Sequence, residues 1–180
     1  ERFRRFGYSV PKPLIKVERQ EIILHVIEMF PEEVDFLFIC NTEHLRDTHV
    51  KSIIKERCNN AKIIGIEPHK KGPVYAVTKI LDYLKNDEDI IINYCDFTCY
   101  WDYQNYKEWI LKENLHGSIP SYKGFHPHSL GKTNYAYIKQ NKMRLIQIKE
   151  KESFTKNRMN EYASSGTYHF KNAEIIKYYF

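Results

Sequence analysis

Three apolar runs of strand length punctuate the first half of the chain. Residues 34–40 (Val-Asp-Phe-Leu-Phe-Ile-Cys), 61–67 and 89–95 are rich in β-branched and aromatic side chains, and Asn41 ends the first. Such runs predict buried strands. Between them, residues 44–57 place Leu45, Val50, Ile53 and Ile54 inward, and residues 73–84 place Val74, Val77, Leu81 and Leu84 at near-helical spacing. A helix over 20–30 in front and another over 103–113 behind complete an alternation of strand and helix, which predicts a mostly parallel sheet covered on both faces. After Leu115 the period shortens to two. Strands at 135–139, 143–149 and 163–170, with a turn at Gln140-Asn141-Lys142, predict an antiparallel or mixed second half. Residues 124–131 hold turn formers together with His126 and His128 and predict an exposed loop. No repeat, low-complexity segment or composition break divides the chain, so a single domain over 1–180 is expected.

Composition narrows the class. With 180 residues, 42% hydrophobic and 28% charged, the chain can bury about 70% of its unfolded surface as one domain, which excludes disorder as the default. No apolar run approaches the ~20 residues that cross a bilayer, and no signal peptide opens the chain, so a cytoplasmic protein is expected. Cys40 and Cys95 end apolar runs and read as small buried hydrophobes, and the Cys95/Cys99 spacing lacks the second pair a zinc site needs. Net charge is +5, and its distribution matters more than its size: residues 1–20 carry six basic and two acidic side chains, and residues 139–180 carry nine and four. The middle is therefore net acidic, and the basic ends suit phosphate groups, nucleic acid or solvent. The first residues read as the tail of a longer segment and the last as the opening turns of a helix, so a fragment is expected.

Several residues could carry chemistry. Lys12 stands between Pro11 and Pro13, which restrict its backbone and present its ammonium from a stiff segment; a fixed anion and a solvated turn both fit. Asp96 follows the 89–95 run at the strand's carboxyl end, where open α/β sheets bind ligands; it reads either as a Mg²⁺ ligand completed by substrate phosphates or as a turn residue. Gly72 and Pro73 lie between strand and helix, with His69, Lys70 and Lys71 before them. Glycine permits close approach of a ligand, and proline suits a first helical turn. Glu150 and Lys151 follow a strand and offer a cation for phosphate, although most such pairs are solvated surface. His126 and His128 lack a third ligand at diagnostic spacing and read as loop residues or substrate contacts, while Tyr94, Tyr100, Trp101, Tyr103 and Tyr106 read chiefly as core.

Taken in order, these pieces resemble the nucleotidyltransferases that activate sugar phosphates and related phospho-alcohols. Glu1-Arg2-Phe3 looks like the end of that family's G-x-G-x-R signature, and Pro11-Lys12-Pro13-Leu14-Ile15 looks like its P-K-P-L segment. Gly72-Pro73-Val74-Tyr75-Ala76-Val77 resembles the glycine-led helix beside the base, and Asn93-Tyr94-Cys95-Asp96 stands where the family has G-D-N/D, with only the aspartate kept. Asn134-Tyr135-Ala136-Tyr137, Ile148-Lys149-Glu150-Lys151-Glu152 and Ala163-Ser164-Ser165-Gly166-Thr167-Tyr168-His169-Phe170 resemble the Y-G, E-K-P and A-x-x-G-x-Y-x-F segments. Glu152 departs from the family's proline and Ala136 from its glycine. The glycine-rich loop is expected before Glu1 and a second metal carboxylate after Phe180.

The resemblance implies a Rossmann-like, GT-A-type three-layer α/β sandwich with a mostly parallel mixed sheet. It also implies transfer of a nucleotidyl group from a nucleoside triphosphate, CTP or another, to a phosphorylated acceptor, with Mg²⁺ as cofactor and pyrophosphate released. On this resemblance Arg2 serves the leaving phosphates, Lys12 the α-phosphoryl charge, Gly72 and Pro73 the nucleotide, and Asp96 both nucleotide and metal, while Glu150, Lys151 and Gly166 lie on the acceptor side. The chain resembles members that supply bacterial capsule or surface-polysaccharide precursors. No nucleic-acid or membrane partner is expected, and the oligomeric state is open. A GT-A-type glycosyltransferase would present D-x-D, but Thr98 stands at the third position. A non-catalytic nucleotide-binding module of the same fold is the other alternative.

Overall fold

The computed structural model describes residues 6–126, 130–131 and 133–180. The chain forms two compact units, one of Glu1–Ile90, Tyr94–His116 and Phe170–Phe180, the other of Ile91–Asn93 and Gly117–His169.

In the first unit a single 3₁₀ turn, Lys12–Leu14, precedes an antiparallel hairpin of β1 (Lys16–Val17) and β2 (Gln20–Glu21) and then helix α1 (Ile22–Glu28). Strands β3 (Leu37–Asn41) and β4 (Lys62–Ile66) pair in parallel, with Leu37 opposite Lys62 and Asn41 opposite Ile66. Their connection carries two helices, α2 (Thr42–Asp47) and α3 (Val50–Arg57), where the sequence predicts one over 44–57. Thr48 makes the break. Its hydroxyl donates to the carbonyl of His44 at 2.7 Å and accepts from the amide of Val50 at 3.3 Å, so it satisfies the end of one helix and the start of the next.

Helix α4 (Gly72–Thr78) is shorter than the predicted 73–84. The Thr78 hydroxyl donates back to the carbonyl of Tyr75, and the chain tightens into a 3₁₀ turn at Leu81–Tyr83. Helix α5 (Tyr103–Glu113) has the predicted bounds: Asp102 caps its amino end, and Asn114 in the left-handed region ends it. Helix α6 (Ala173–Tyr179) is capped by Asn172. Leu14, Ile23, Ile27, Val50, Ile54 and Ala61 form the core, with Phe36, Phe38, Leu45 and Ile63 packed against it. Tyr103 and Trp101 dock edge-on against Phe30 with ring centroids 5.3 and 5.9 Å away, and the Trp101 indole donates to the carbonyl of Met29. Tyr103 and Trp101 thus meet the core expectation, whereas Tyr100 is fully exposed and Tyr94 partly so.

The second unit holds most of strands β5 (Ile90–Asn93), β6 (Gly117–Ser118), β7 (Ser121–Tyr122), β8 (Ala136–Asn141), β9 (Arg144–Glu150), β10 (Tyr162–Ser164) and β11 (Thr167–Phe170). One sheet runs β7-β10-β8-β9 with antiparallel pairings throughout, and another runs β5-β11-β6. Lys142 and Met143 both take positive φ in the two-residue turn that joins β8 to β9, the twist that suits a tight hairpin. The predicted strand over 163–170 is two strands. Gly166, at φ +76°, turns the chain between them, and its amide donates to the Ser164 hydroxyl at 3.1 Å.

Gly65 of β4 faces α2 so closely that a Cβ there would lie 3.1 Å from Thr42 Cγ2 and 3.2 Å from Leu45 Cδ1. Gly65→Val is therefore expected to lower stability by about 1–3 kcal/mol through overpacking, measured by urea unfolding.

Candidate functional site

Lys12 and Asp96, 84 residues apart in sequence, meet in the first unit: Lys12 Nζ lies 2.8 Å from Asp96 Oδ2, with the two side chains 40% and 32% exposed. The local sequence explains how the lysine is presented. Pro11 caps the 3₁₀ turn, Pro13 lies within it, the amides of Leu14 and Ile15 donate to the carbonyls of Pro11 and Lys12, and the Leu14 and Ile15 side chains are buried. The ammonium thus stands on one stiff turn anchored in the core.

A cavity of about 370 Å³ opens beside it, a volume within the usual range for a small-ligand site. Its wall includes Pro11, Lys12 and Pro13, Phe38 to Asn41 of β3, Ile66 of β4 with Glu67, Pro68 and His69 beyond it, Ala76 of α4, and Cys95 next to Asp96. The carboxyl ends of the two parallel strands therefore form one side, the place where parallel α/β sheets bind ligands. Cys40 is half-buried, and burial pushes its thiol up to about 11, so it is an uncharged wall at neutral pH. Cys95 sits in the turn that follows β5 and its residue is exposed, yet burial pushes its thiol up to about 11, so its sulfur also is an uncharged part of the wall at neutral pH.

Asn41 accepts from the amide of Glu43 and caps α2, while the Thr42 hydroxyl donates to Glu67 Oε1 at 3.2 Å. His69 Nδ1 accepts from the amide of Lys71 at 3.2 Å, and its ring packs against Tyr75 at 4.6 Å. Lys71 and Lys79 also lie over the Tyr75 ring, at 4.6 and 4.9 Å. Gly72 takes φ +85° with nothing within 4 Å of a would-be Cβ, so glycine is there for its backbone conformation. Gly72 and Pro73 start α4, but the residue of that helix lining the cavity is Ala76. Asn41, His44 and Glu67 were not singled out from sequence, and His69 was noted only as a neighbour of Gly72. Their signal was position at the carboxyl ends of the 34–40 and 61–67 runs.

Glu150, Lys151 and Gly166 belong to the second unit. Glu150 ends β9 opposite Ala136, and Lys151 takes φ +57°, with its amide bonded to the carbonyl of Tyr135 and its carbonyl to the Thr133 hydroxyl. Their side chains pair at 3.3 Å and are well exposed. Gly166 adjoins a buried polar group of Ser164, Ser165, Thr167 and His169, in which the Thr167 hydroxyl donates to the Asn93 side chain. His126 packs against Tyr122 and Tyr135 at 5.7 and 5.6 Å. Arg2 and His128 lie outside the described residues.

A family model described as nucleotidyl transferase matches residues 1–179. The chain belongs to the nucleotidyl transferase family. Solved structures share the fold: a Bacillus anthracis protein assigned as a glucose-1-phosphate thymidylyltransferase aligns with a TM-score of 0.73 and 18% identity over 94% of this chain. A nucleoside-diphosphate-sugar pyrophosphorylase from Vibrio cholerae RC9 aligns with a TM-score of 0.70 and 19% identity over 99% of this chain. A mannose-6-phosphate isomerase from Helicobacter pylori aligns with a TM-score of 0.69 and 18% identity over 92%. The chain spans 65%, 72% and 68% of those three structures' chains, respectively. No curated protein sequence matches it. The Rossmann-like α/β class expected from sequence is thereby shown.

The donor set for a metal in this family member is sparse. Among the described residues no three His, Cys, Asp or Glu side chains converge, and Asp96 offers a single partly exposed carboxylate. A lone carboxylate fits Mg²⁺ when phosphate oxygens and water supply the remaining ligands. Among the described residues no helix is long and apolar enough to cross a membrane.

Both partners of the Lys12–Asp96 pair reach solvent, so the pair itself is worth at most about 1 kcal/mol to the fold. Lys12→Met and Asp96→Asn are each expected to change unfolding free energy by no more than about 1 kcal/mol in urea titrations; a larger loss in either would assign the pair a structural role.

Proposed function

We propose that the protein moves a nucleoside monophosphate group from a nucleoside triphosphate to a phosphorylated acceptor, a sugar phosphate or a phosphorylated small molecule, in the supply of capsule or surface-polysaccharide precursors. One observation carries the reading: an ammonium and a carboxylate from distant parts of the chain meet beside a cavity at the carboxyl ends of parallel strands. Family membership supports it, and CTP is the first donor to test.

In the proposed reaction an acceptor phosphate oxygen attacks the α-phosphorus in line, a new P–O bond forms, the bond to the β-phosphate oxygen breaks, and pyrophosphate leaves with the electron pair. Such a transfer asks for positioning and charge neutralisation more than for covalent catalysis. Lys12 places its ammonium against the α-phosphoryl oxygens, where negative charge shifts as the bond breaks. Asp96 would hold Mg²⁺, which when bound neutralises charge on the triphosphate oxygens. Without substrate the two side chains neutralise each other; with it, each exchanges that partner for the substrate or its cation. Arg2 serves the leaving phosphates, Gly72 and Pro73 the nucleotide, and Glu150, Lys151 and Gly166 the acceptor. Consumption of a nucleoside triphosphate makes the cytoplasm the proposed location.

The test is pyrophosphate release with four nucleoside triphosphates against a panel of phosphorylated acceptors. Lys12→Ala is expected to lower kcat by about 100-fold or more, and Asp96→Ala to abolish Mg²⁺-dependent release, both with unchanged far-UV circular dichroism. Full activity in either variant removes that residue's role, and no turnover in any combination leaves a nucleotide-binding module.

A further inference from the structure

Residues 139–148, the end of β8, the turn and most of β9, are exposed without a break. Within them Met143, Ile146, Leu145 and Ile148 are 74%, 60%, 52% and 41% exposed, and no acidic side chain stands among them. Isolated apolar side chains on a surface are ordinary, but four crowded onto one hairpin mark a contact surface. Lys139, Lys142 and Arg144 are interspersed with them. Among the described residues no carboxylate pairs with these three cations, and Glu150 and Glu152, which follow in sequence, are paired with Lys151 and Lys149.

Residues 136–158 carry seven basic and two acidic side chains, which equals the whole net charge of +5, and the rest of the chain carries 21 of each sign. Charge complementarity requires an anionic partner. Although β9 is the edge strand of its sheet, it is poorly suited to receive another strand. Lys139 faces Gln147 and the next residue, Gln140, faces Leu145, so Ile146 is an extra residue bulged out of register. Bulges and edge cations both oppose strand addition, and a second copy would bring two cationic hairpins together. Nucleic acid would leave the aliphatic side chains unused: its phosphates take cations and its bases stack on aromatic rings, of which 139–148 contains none.

We propose that this hairpin docks the protein on the surface of an anionic lipid bilayer. Lys139, Lys142 and Arg144 take the phosphate headgroups, and Met143, in the exposed turn, enters the acyl boundary together with Leu145 and Ile146. An anionic surface with an apolar layer beneath it satisfies both kinds of side chain at once. The unpaired backbone groups of the edge strand keep β9 at the level of the headgroups, where water and phosphate oxygens satisfy them, and out of the hydrocarbon. Such contact is peripheral and needs no membrane-crossing helix, and it departs from the expectation from sequence that no membrane is a partner. It rests on the second unit alone, independent of the nucleotidyl-transfer reading.

The experiment is co-sedimentation of the 180-residue chain with vesicles of phosphatidylglycerol and phosphatidylcholine in equal parts, against vesicles of phosphatidylcholine alone. Partitioning is expected to be about 10-fold or more stronger on the anionic vesicles and to fall as salt is raised. The double variant Lys142→Gln/Arg144→Gln is expected to lower it about 10-fold by removing charge, and Leu145→Gln/Ile146→Gln to lower it about 10-fold at unchanged charge. All four positions are exposed, so far-UV circular dichroism stays unchanged in both. Absent partitioning, or equal partitioning on the two kinds of vesicle, overturns the inference. So does undiminished binding of Leu145→Gln/Ile146→Gln to the anionic vesicles, which leaves a purely electrostatic patch. Sedimentation equilibrium without lipid tests the second copy: a dimer that Leu145→Gln/Ile146→Gln dissociates, with no binding to vesicles, replaces membrane docking by self-association. None of these measurements involves a nucleotide, so the transfer reading stands or falls separately.

Discussion

The attraction between the Lys12 ammonium and the Asp96 carboxylate ties two parts of the chain that sequence keeps 84 residues apart, and the site is organised around it. Its strength is modest in a partly exposed setting, and its value lies in geometry. Lys12 rides on a proline-bounded turn whose neighbours Leu14 and Ile15 are buried, so its backbone is fixed at the cavity rim. In the proposed reaction each of these two opposite charges would exchange its partner for the polyphosphate or its cation.

The cavity depends on a second constraint, the close approach of α2 to the end of β4. Gly65 removes the side chain that would block it, and Thr42, Asn41 and Glu67 are brought together at the carboxyl ends of β3 and β4 as a result. Backbone geometry and side-chain chemistry act jointly here: the parallel pairing of β3 with β4 aligns the strand ends, and short polar side chains then cap the helix and orient the carboxylate. Phe38, Ile39 and the un-ionised Cys40 form the apolar part of the wall beside these polar groups.

Much of this was legible along the chain. The 61–67 and 89–95 runs contain β4 and β5, the 34–40 run covers all of β3 except Asn41, and the 103–113 helix has the expected bounds. Breaks were not legible, since they arise from single side chains acting on the backbone: the Thr48 hydroxyl divides the 44–57 helix, the Thr78 hydroxyl helps shorten the next, and Gly166 bends the 163–170 strand. Each of these residues fits the surrounding periodicity, so hydrophobic pattern alone passes over it. Tyr100 and Tyr94 show the converse, because their aromatic character matched a core while their place around the turn after β5 left them exposed.

Residue order and type determined the alternation of strand and helix, the stiffness around Lys12, the left-handed positions open to Gly72 and Gly166, and the resemblance that named the family. Tertiary structure decided which charges meet and which polar residues face one cavity. Those facts depend on the register of β3 on β4 and on how closely α2 approaches β4, and neither is encoded in local periodicity: packing of side chains distant in sequence sets both.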